Sequence, residues 1–187
     1  MKLLVTGITL LGGVFAAFAC VLLALRNEPG AFVLIVLAMA LDMVDGPIAR
    51  KTGATSKLGG TLDSCADVLI YLLFPVIYWA ASYGLPIWVL VLFVAAGVFR
   101  LVRFTLGGFG EDKGKLFYAG MPVFYSQFLL LFTFAIRFDS LLLGALLLVV
   151  SALMVSTIPF AKISVRALAT GLVIYIVVIA LGLSHAL

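Results

Sequence analysis

The sequence predicts an all-α integral membrane protein, a bundle of about six to eight transmembrane helices formed by a single domain over residues 1–187. Of the 187 residues, 65% are hydrophobic and only 11% are charged, which is too little charge for a water-facing surface. A helix needs about 20 mostly apolar residues to cross the hydrocarbon core. About seven such stretches fill the chain and leave no length for a soluble domain.

Turn-forming and polar segments separate these apolar stretches. Each break contains glycine, proline or several charged residues, which end helices. The breaks fall at residues 27–30, 51–58, 83–86, 107–115, 137–139 and 159–166. They predict helices at about 4–25, 31–51, 59–82, 86–106, 119–137, 140–158 and 167–186.

The basic residues predict the orientation of the bundle, because lysine and arginine gather in cytoplasmic loops. With the N-terminus inside, the residues on the cytoplasmic side are Lys2, Arg50, Lys51, Lys57, Arg100, Arg103, Lys113, Lys115, Lys162 and Arg166. Only Arg26 and Arg137 would then lie on the opposite, external side of the membrane. We therefore expect a multi-pass protein of the plasma (inner) membrane. The scattered basic residues form no aromatic-interleaved stripe, so no nucleic-acid partner is expected.

Four of the eight acidic residues lie inside the second and third apolar segments. A carboxylate at the centre of a membrane helix costs about 2.5–3.5 kcal/mol, so such residues usually face a cavity and serve a function. Asp42 and Asp45 are three residues apart, and Gly59, Asp63 and Asp67 are spaced by four, so each set shares one helical face. An antiparallel hairpin of these two helices would bring all four carboxylates together on the cytoplasmic side.

Four converging carboxylates would repel each other unless cations neutralise them. Hard oxygen ligands suit Mg²⁺ or Mn²⁺, and two such ions can clamp the oxygens of a phosphate group. Gly46, Ala49 and Gly59 leave space for a nucleotide beside the carboxylates, and Arg50 is a candidate phosphate partner. Tight helix packing is the alternative explanation for the small residues.

The pattern resembles the signature of the CDP-alcohol phosphatidyltransferase family, D-x-x-D-G-x-x-A-R-x(8)-G-x(3)-D-x(3)-D. All its fixed positions match, at Asp42, Asp45, Gly46, Ala49, Arg50, Gly59, Asp63 and Asp67. The resemblance implies a membrane-embedded homodimer with two divalent cations, Mg²⁺ or Mn²⁺. Such an enzyme transfers a phosphatidyl group from a CDP-linked lipid to an alcohol and releases CMP.

The resemblance also implies roles for these residues. Asp42, Asp45 and Asp63 would ligate the metals, and Asp67 would contact a metal and act as the catalytic base. The CDP-lipid site would be lined by Gly46, Ala49, Arg50 and Gly59.

Three further segments resemble the phosphatidylserine synthase branch of that family, at residues 62–67, 99–104 with 118–122, and 153–162. L-Serine is therefore the expected acceptor, although Thr105 stands where that branch has asparagine. Glycerol 3-phosphate, inositol and inositol phosphate remain alternative acceptors. Arg100, Arg103 and Lys162 are candidate contacts for a phosphate or for the anionic group of the acceptor. Alternatively, these three residues fix the topology and bind lipid headgroups.

A cation-coupled membrane transporter is the alternative from a different class, because intramembrane carboxylates also bind H⁺ or Na⁺. The pairing of the carboxylates at the cytoplasmic ends of adjacent helices, beside Gly, Ala and Arg, favours the enzyme.

Overall fold

Helices account for most of the residues in the computed structural model, which describes residues 2–112, 115–136, 139–161, 163 and 165–184. The elements in chain order are α1 (Lys2–Ala24), α2 (Glu28–Lys51), α3 (Lys57–Asp67), a π-helical segment (Val68–Leu73), α4 (Phe74–Tyr83), α5 (Ile87–Gly107), β1 (Gly110–Asp112), β2 (Lys115–Ala119), α6 (Tyr125–Ala135), α7 (Ser140–Val155), β3 (Pro159–Ala161) and α8 (Val165–Ser184). Because α3, the π segment and α4 are consecutive, they form one long rod.

The predicted all-α membrane architecture is confirmed. Within the described residues, four helical stretches are long and apolar enough to cross a bilayer, namely Lys2–Ala24, Glu28–Lys51, Leu58–Tyr83 and Ile87–Gly107. Three shorter apolar helices accompany them, in α6, α7 and α8. Many large apolar side chains point outward, as lipid contact requires.

One predicted helix, at residues 119–137, begins six residues late. Ala119 is instead the last residue of β2, the central strand of a three-stranded antiparallel sheet of order β1-β2-β3. In this sheet Phe117 lies opposite Gly110 of β1 and Ala161 of β3. Gly120 adopts a φ of 79°, a left-handed conformation that ends the strand, and the chain enters α6 only at Tyr125. Similarly, α7 ends at Val155 rather than at residue 158, because β3 begins at Pro159.

The second and third helices do not pack closely along their length. Instead, α1 packs along α2 and also against α3, while α2 and α3 make few contacts with each other. Small residues allow this approach, since Ala16 and Ala19 of α1 are fully buried and a β-carbon on Gly12 would lie 3.5 Å from Leu41 Cβ. The first helix therefore forms one wall of the space between the acidic helices.

The connections place several helix ends together at one end of the bundle. This end contains the C-termini of α2, α5 and α7, the N-termini of α3, α6 and α8, and the sheet. At the opposite end, Trp79 Nε1 and Tyr83 OH donate hydrogen bonds to the hydroxyl and the carbonyl oxygen of Thr133. The predicted carboxylates all belong to the end that carries the sheet.

Candidate active site

Three aspartates from two helices form the centre of the candidate site. Carboxylate oxygens of Asp42 and Asp45 on α2 and of Asp63 on α3 all lie within 4.8 Å of one another. At such distances two carboxylates repel by on the order of 4 kcal/mol at the effective dielectric of a protein. A divalent cation reverses this repulsion, and hard oxygen ligands are the kind that Mg²⁺ and Mn²⁺ prefer. The cluster therefore has the composition and spacing to hold a metal ion.

Two hydroxyl groups from other elements orient this cluster. Thr9 Oγ1 of α1 donates a 2.6 Å hydrogen bond to Asp45 Oδ2, and Tyr71 OH of the π segment donates a 2.7 Å bond to Asp42 Oδ2. Each of these bonds is made to one of the two carboxylate oxygens, Oδ2. Such outer partners fix the orientation of metal-ligating carboxylates in other proteins.

Asp67 lies one helical turn beyond Asp63 and faces the same space. Together with the three clustered aspartates, Tyr71 and Arg100, it lines a cavity of about 300 Å³, which we call the carboxylate cavity. Its remaining walls are largely apolar and include Phe128 of α6 and Leu172 of α8. The cavity thus joins a carboxylate-rich side to an apolar side.

A second cavity, of about 260 Å³, lies between α1, α2 and α3, and we call it the small-residue cavity. The four predicted CDP-lipid residues all line it, namely Gly46, Ala49, Arg50 and Gly59. At its edge Gly59 N–H donates to Ser56 Oγ, and a β-carbon at position 59 would lie only 3.1 Å from that oxygen. Asp45, Gly46, Arg50 and Asp63 line both cavities, so the carboxylate cluster lies between them.

Arg100 presents a buried guanidinium to the carboxylate cavity. The residue is only 4% exposed, and its Nε has no hydrogen-bond partner among the described residues. Its Cζ lies 5.0 Å and 5.1 Å from the ring centroids of Phe104 and Tyr118. Burial raises the pKa of the Tyr118 phenol, so this ring stays neutral beside the cation. A guanidinium in this environment is suited to an anionic ligand.

Arg103, the other predicted arginine, is engaged differently. Its guanidinium donates to the carbonyl oxygens of Met154 at 3.1 Å, Val155 at 2.9 Å and Ser156 at 2.8 Å, and also to Ala119 O. These bonds favour a structural role for Arg103, and its contact with a substrate stays a prediction. Lys162, the third candidate, lies outside the described residues.

Comparison with known proteins adds an independent observation. The sequence model of the CDP-alcohol phosphatidyltransferase family matches residues 3–186. The chain belongs to this family. The matched residues include the carboxylate cluster and the described residues that line both cavities.

Several curated relatives have the name CDP-diacylglycerol–serine O-phosphatidyltransferase. The Methanocaldococcus jannaschii protein is 33% identical over 135 residues, which are 71% of this chain and 64% of that protein. The Bacillus subtilis protein is 34% identical over 155 residues, or 76% and 84% of the two chains. The Helicobacter pylori protein is 35% identical over 95 residues, 48% of this chain and 39% of that protein. The chain thus matches less than two thirds of the length of the first and third of these relatives.

The family signature contains neither hydroxyl that orients the cluster. Tyr71 continues the four-residue spacing of Gly59, Asp63 and Asp67, and this spacing is a signal that sequence reasoning overlooked. Thr9 lies 36 residues from Asp45, and no local pattern in the sequence pairs them.

Proposed function

We propose that this CDP-alcohol phosphatidyltransferase family member makes phospholipid by transferring a phosphatidyl group from a CDP-linked lipid to the hydroxyl of L-serine, releasing CMP. The observation that carries this proposal is the position of the carboxylate cluster between the small-residue cavity and the carboxylate cavity. A nucleotide and an acceptor bound in separate cavities would meet at the cluster.

The transfer makes one bond and breaks one. The serine hydroxyl oxygen bonds to the lipid-bearing phosphorus, and the bond from that phosphorus to the bridging oxygen breaks. CMP departs with the bridging oxygen and its electron pair. An alcohol needs a base to accept its proton at neutral pH, and we assign this role to Asp67. Its place in the carboxylate cavity, one turn beyond the cluster, supports the assignment.

Two divalent cations, Mg²⁺ or Mn²⁺, would draw negative charge from the pyrophosphate and its leaving group. Asp42, Asp45 and Asp63 are the proposed ligands, with Asp67 as a further ligand. The spacing of the first three carboxylates supports this part of the proposal.

The small-residue cavity is the proposed site of the CDP group. Gly46, Ala49 and Gly59 keep its walls free of bulk. Arg50 is the proposed phosphate partner, and a β-carbon at position 46 would lie 3.4 Å from its Nη1. The lipid part of the donor then extends toward the apolar wall of the carboxylate cavity.

Two observations favour serine among the acceptors. The relatives from Methanocaldococcus jannaschii and Bacillus subtilis are named for the serine reaction. Arg100 also presents a buried cation to the carboxylate cavity, where the serine carboxylate or a substrate phosphate can bind. The proposal includes a homodimer in the plasma membrane with its active site facing the cytoplasm.

The test measures CMP release by the purified protein with CDP-diacylglycerol and Mn²⁺ or Mg²⁺. Serine, glycerol 3-phosphate, inositol and inositol phosphate are supplied separately. We expect metal-dependent release with serine, loss of release with EDTA, and a fall of at least about 100-fold in Asp67→Asn, since a catalytic base contributes about 10²–10⁴-fold. Asp139→Asn is the matched control, because Asp139 caps α7 at the opposite end and asparagine caps equally well.

Each other result contradicts part of the proposal. Release only with another alcohol would replace serine as the acceptor. Full activity in Asp67→Asn would remove that residue as the base. No release with any acceptor, together with cation flux in proteoliposomes lacking CDP-lipid, would favour the transporter instead.

A further inference from the structure

The π-helical segment Val68–Leu73 interrupts the long rod directly after Asp67. The backbone N–H of Phe74 bonds to the carbonyl of Leu69, five residues earlier, and this widens the turn. In a continuous α-helix each step of four residues advances about 40° beyond a full turn. The wider turn offsets this drift, so Tyr71 stays on the side of the rod that carries Asp63 and Asp67.

Two buried side chains of α6 bind the carbonyls of this segment. Ser126 Oγ donates to Tyr71 O, and Gln127 Nε2 donates to Ile70 O. Ser126 is fully buried and Gln127 is 2% exposed. A π turn disturbs the regular backbone bonding of a helix, and buried carbonyls need partners. These two side chains therefore stabilise the segment in its wide form.

Contacts from α8 and α5 hold the same segment. Tyr175 OH of α8 donates a 3.1 Å hydrogen bond to Gln127 Oε1, which fixes the amide orientation. On the other side Leu72 packs directly on Gly97 of α5, where a β-carbon would come within 2.3 Å of Leu72 Cδ2. Contacts from α5, α6 and α8 thus restrain the six-residue π segment. Its residue Tyr71 donates the hydrogen bond to Asp42.

We propose that Tyr71 is a positioning residue for the metal site, and that Gln127 and Tyr175 act through it by holding the π segment. The Tyr71 hydroxyl donates to Asp42 Oδ2. This bond fixes the orientation of the carboxylate and therefore the direction in which Oδ1 points. This inference rests on the proposed metal-binding role of Asp42. It adds an outer layer of residues that the family signature does not contain.

The test measures Mn²⁺ binding rather than turnover. The purified protein in detergent is titrated with Mn²⁺, and free Mn²⁺ is followed by electron paramagnetic resonance. Tyr71→Phe should bind Mn²⁺ about 10- to 100-fold more weakly than the wild type, as expected for loss of an outer-shell partner. Tyr83→Phe is the matched control, because it removes a tyrosine hydroxyl bond to Thr133 O at the opposite end of the rod. We expect wild-type binding in this control.

A double-mutant cycle tests the role of Gln127. Gln127→Leu should weaken Mn²⁺ binding in the wild-type background and have a smaller effect in the Tyr71→Phe background, because both changes act on the same carboxylate. Melting temperatures of all variants provide the check on folding. Equal effects in the two backgrounds would overturn the coupling of Gln127 to Tyr71.

Two further outcomes separate this inference from the proposed function. Saturable Mn²⁺ binding by the wild type, lost in Asp42→Asn but unchanged in Tyr71→Phe, would overturn the inference and leave the metal site standing. Absence of saturable Mn²⁺ binding in the wild type would overturn both.

Discussion

Arg100 and Arg103 lie one helical turn apart on α5, yet their guanidinium groups have different surroundings. Arg103 is bonded to four backbone carbonyls, whereas Arg100 Nε has no hydrogen-bond partner among the described residues. Burying a charge is costly unless it is paired. An anionic substrate group would supply the missing partner for Arg100, and this makes Arg100 the stronger candidate for substrate contact.

Arg100→Lys should lower kcat/KM by about 10- to 100-fold, because lysine keeps the charge but loses the planar fork that binds phosphate or carboxylate bidentately. Varying the serine and CDP-lipid concentrations separately identifies the substrate whose KM rises. Arg26→Gln is the control, since the hydrogen bond that Arg26 makes among the described residues is to Ala81 O at the opposite end. Wild-type kinetics in Arg100→Lys for both substrates would rule out a direct contact.

At the scale of elements, Arg103 joins three of them. Its guanidinium binds the last carbonyls of α7, which have no partners within the helix, and also the end of β2. Gly120 completes this junction, because a β-carbon there would come within 2.6 Å of the carbonyl oxygens of Met154 and Ser156. The junction holds the sheet, including Tyr118, against the carboxylate cavity.

Arg103→Gln should lower the melting temperature in detergent by several degrees, because charge-assisted hydrogen bonds contribute about 1.5–3 kcal/mol. Gly120→Ala should have the same effect through steric strain at a φ of 79°. Arg100→Gln is the comparison. Among the described residues Arg100 donates no hydrogen bond to a carbonyl, so this change should leave the melting temperature near that of the wild type. A junction role for Arg103 would be excluded if Arg103→Gln melted like the wild type while raising the KM for serine.

The four aspartates show what sequence spacing predicts at this scale. Asp42 and Asp45 share a face of α2, and Asp63 and Asp67 share a face of α3, because helical periodicity is a local property. Spacing within one helix says nothing about its neighbours. It therefore did not show that α1 packs against both helices and brings Thr9 to Asp45, while α2 and α3 make few contacts with each other.

At the scale of the whole molecule, the candidate site occupies one end of a bundle whose sides are apolar. Exposed leucine, valine and isoleucine cover the outer faces of α1, α5 and α8, whereas the site end carries Arg50, Lys51 and the short sheet. Basic residues at the end of α2 also complement its helix dipole. This asymmetry supports the proposed cytoplasmic orientation of the site.

Cysteine labelling tests that orientation. In a background with Cys20 and Cys65 replaced by alanine, Thr52→Cys at the site end and Ser82→Cys at the opposite end place exposed thiols on the two sides. A membrane-impermeant maleimide should label Ser82→Cys in spheroplasts of an expressing bacterium and label Thr52→Cys only in inverted vesicles. The reversed pattern would place the active site outside the cell.

The sequence by itself determined the membrane-embedded helical class, the approximate extent of the long helices, and the aspartates of the candidate metal site. Apolar length and helical periodicity are local properties of the chain, so no tertiary information was needed for them. The family signature added the small residues around the cluster, and these line one cavity.

Only the tertiary structure decided which side chains complete the site. Tyr71 and Asp42 are 29 residues apart, Thr9 and Asp45 are 36 apart, and Arg103 and Ser156 are 53 apart. The short sheet likewise depends on pairing between β2 and β3, which are separated by α6 and α7. Such contacts depend on how helices pack across the bundle, and the hydrophobic pattern of a single helix does not specify its partners.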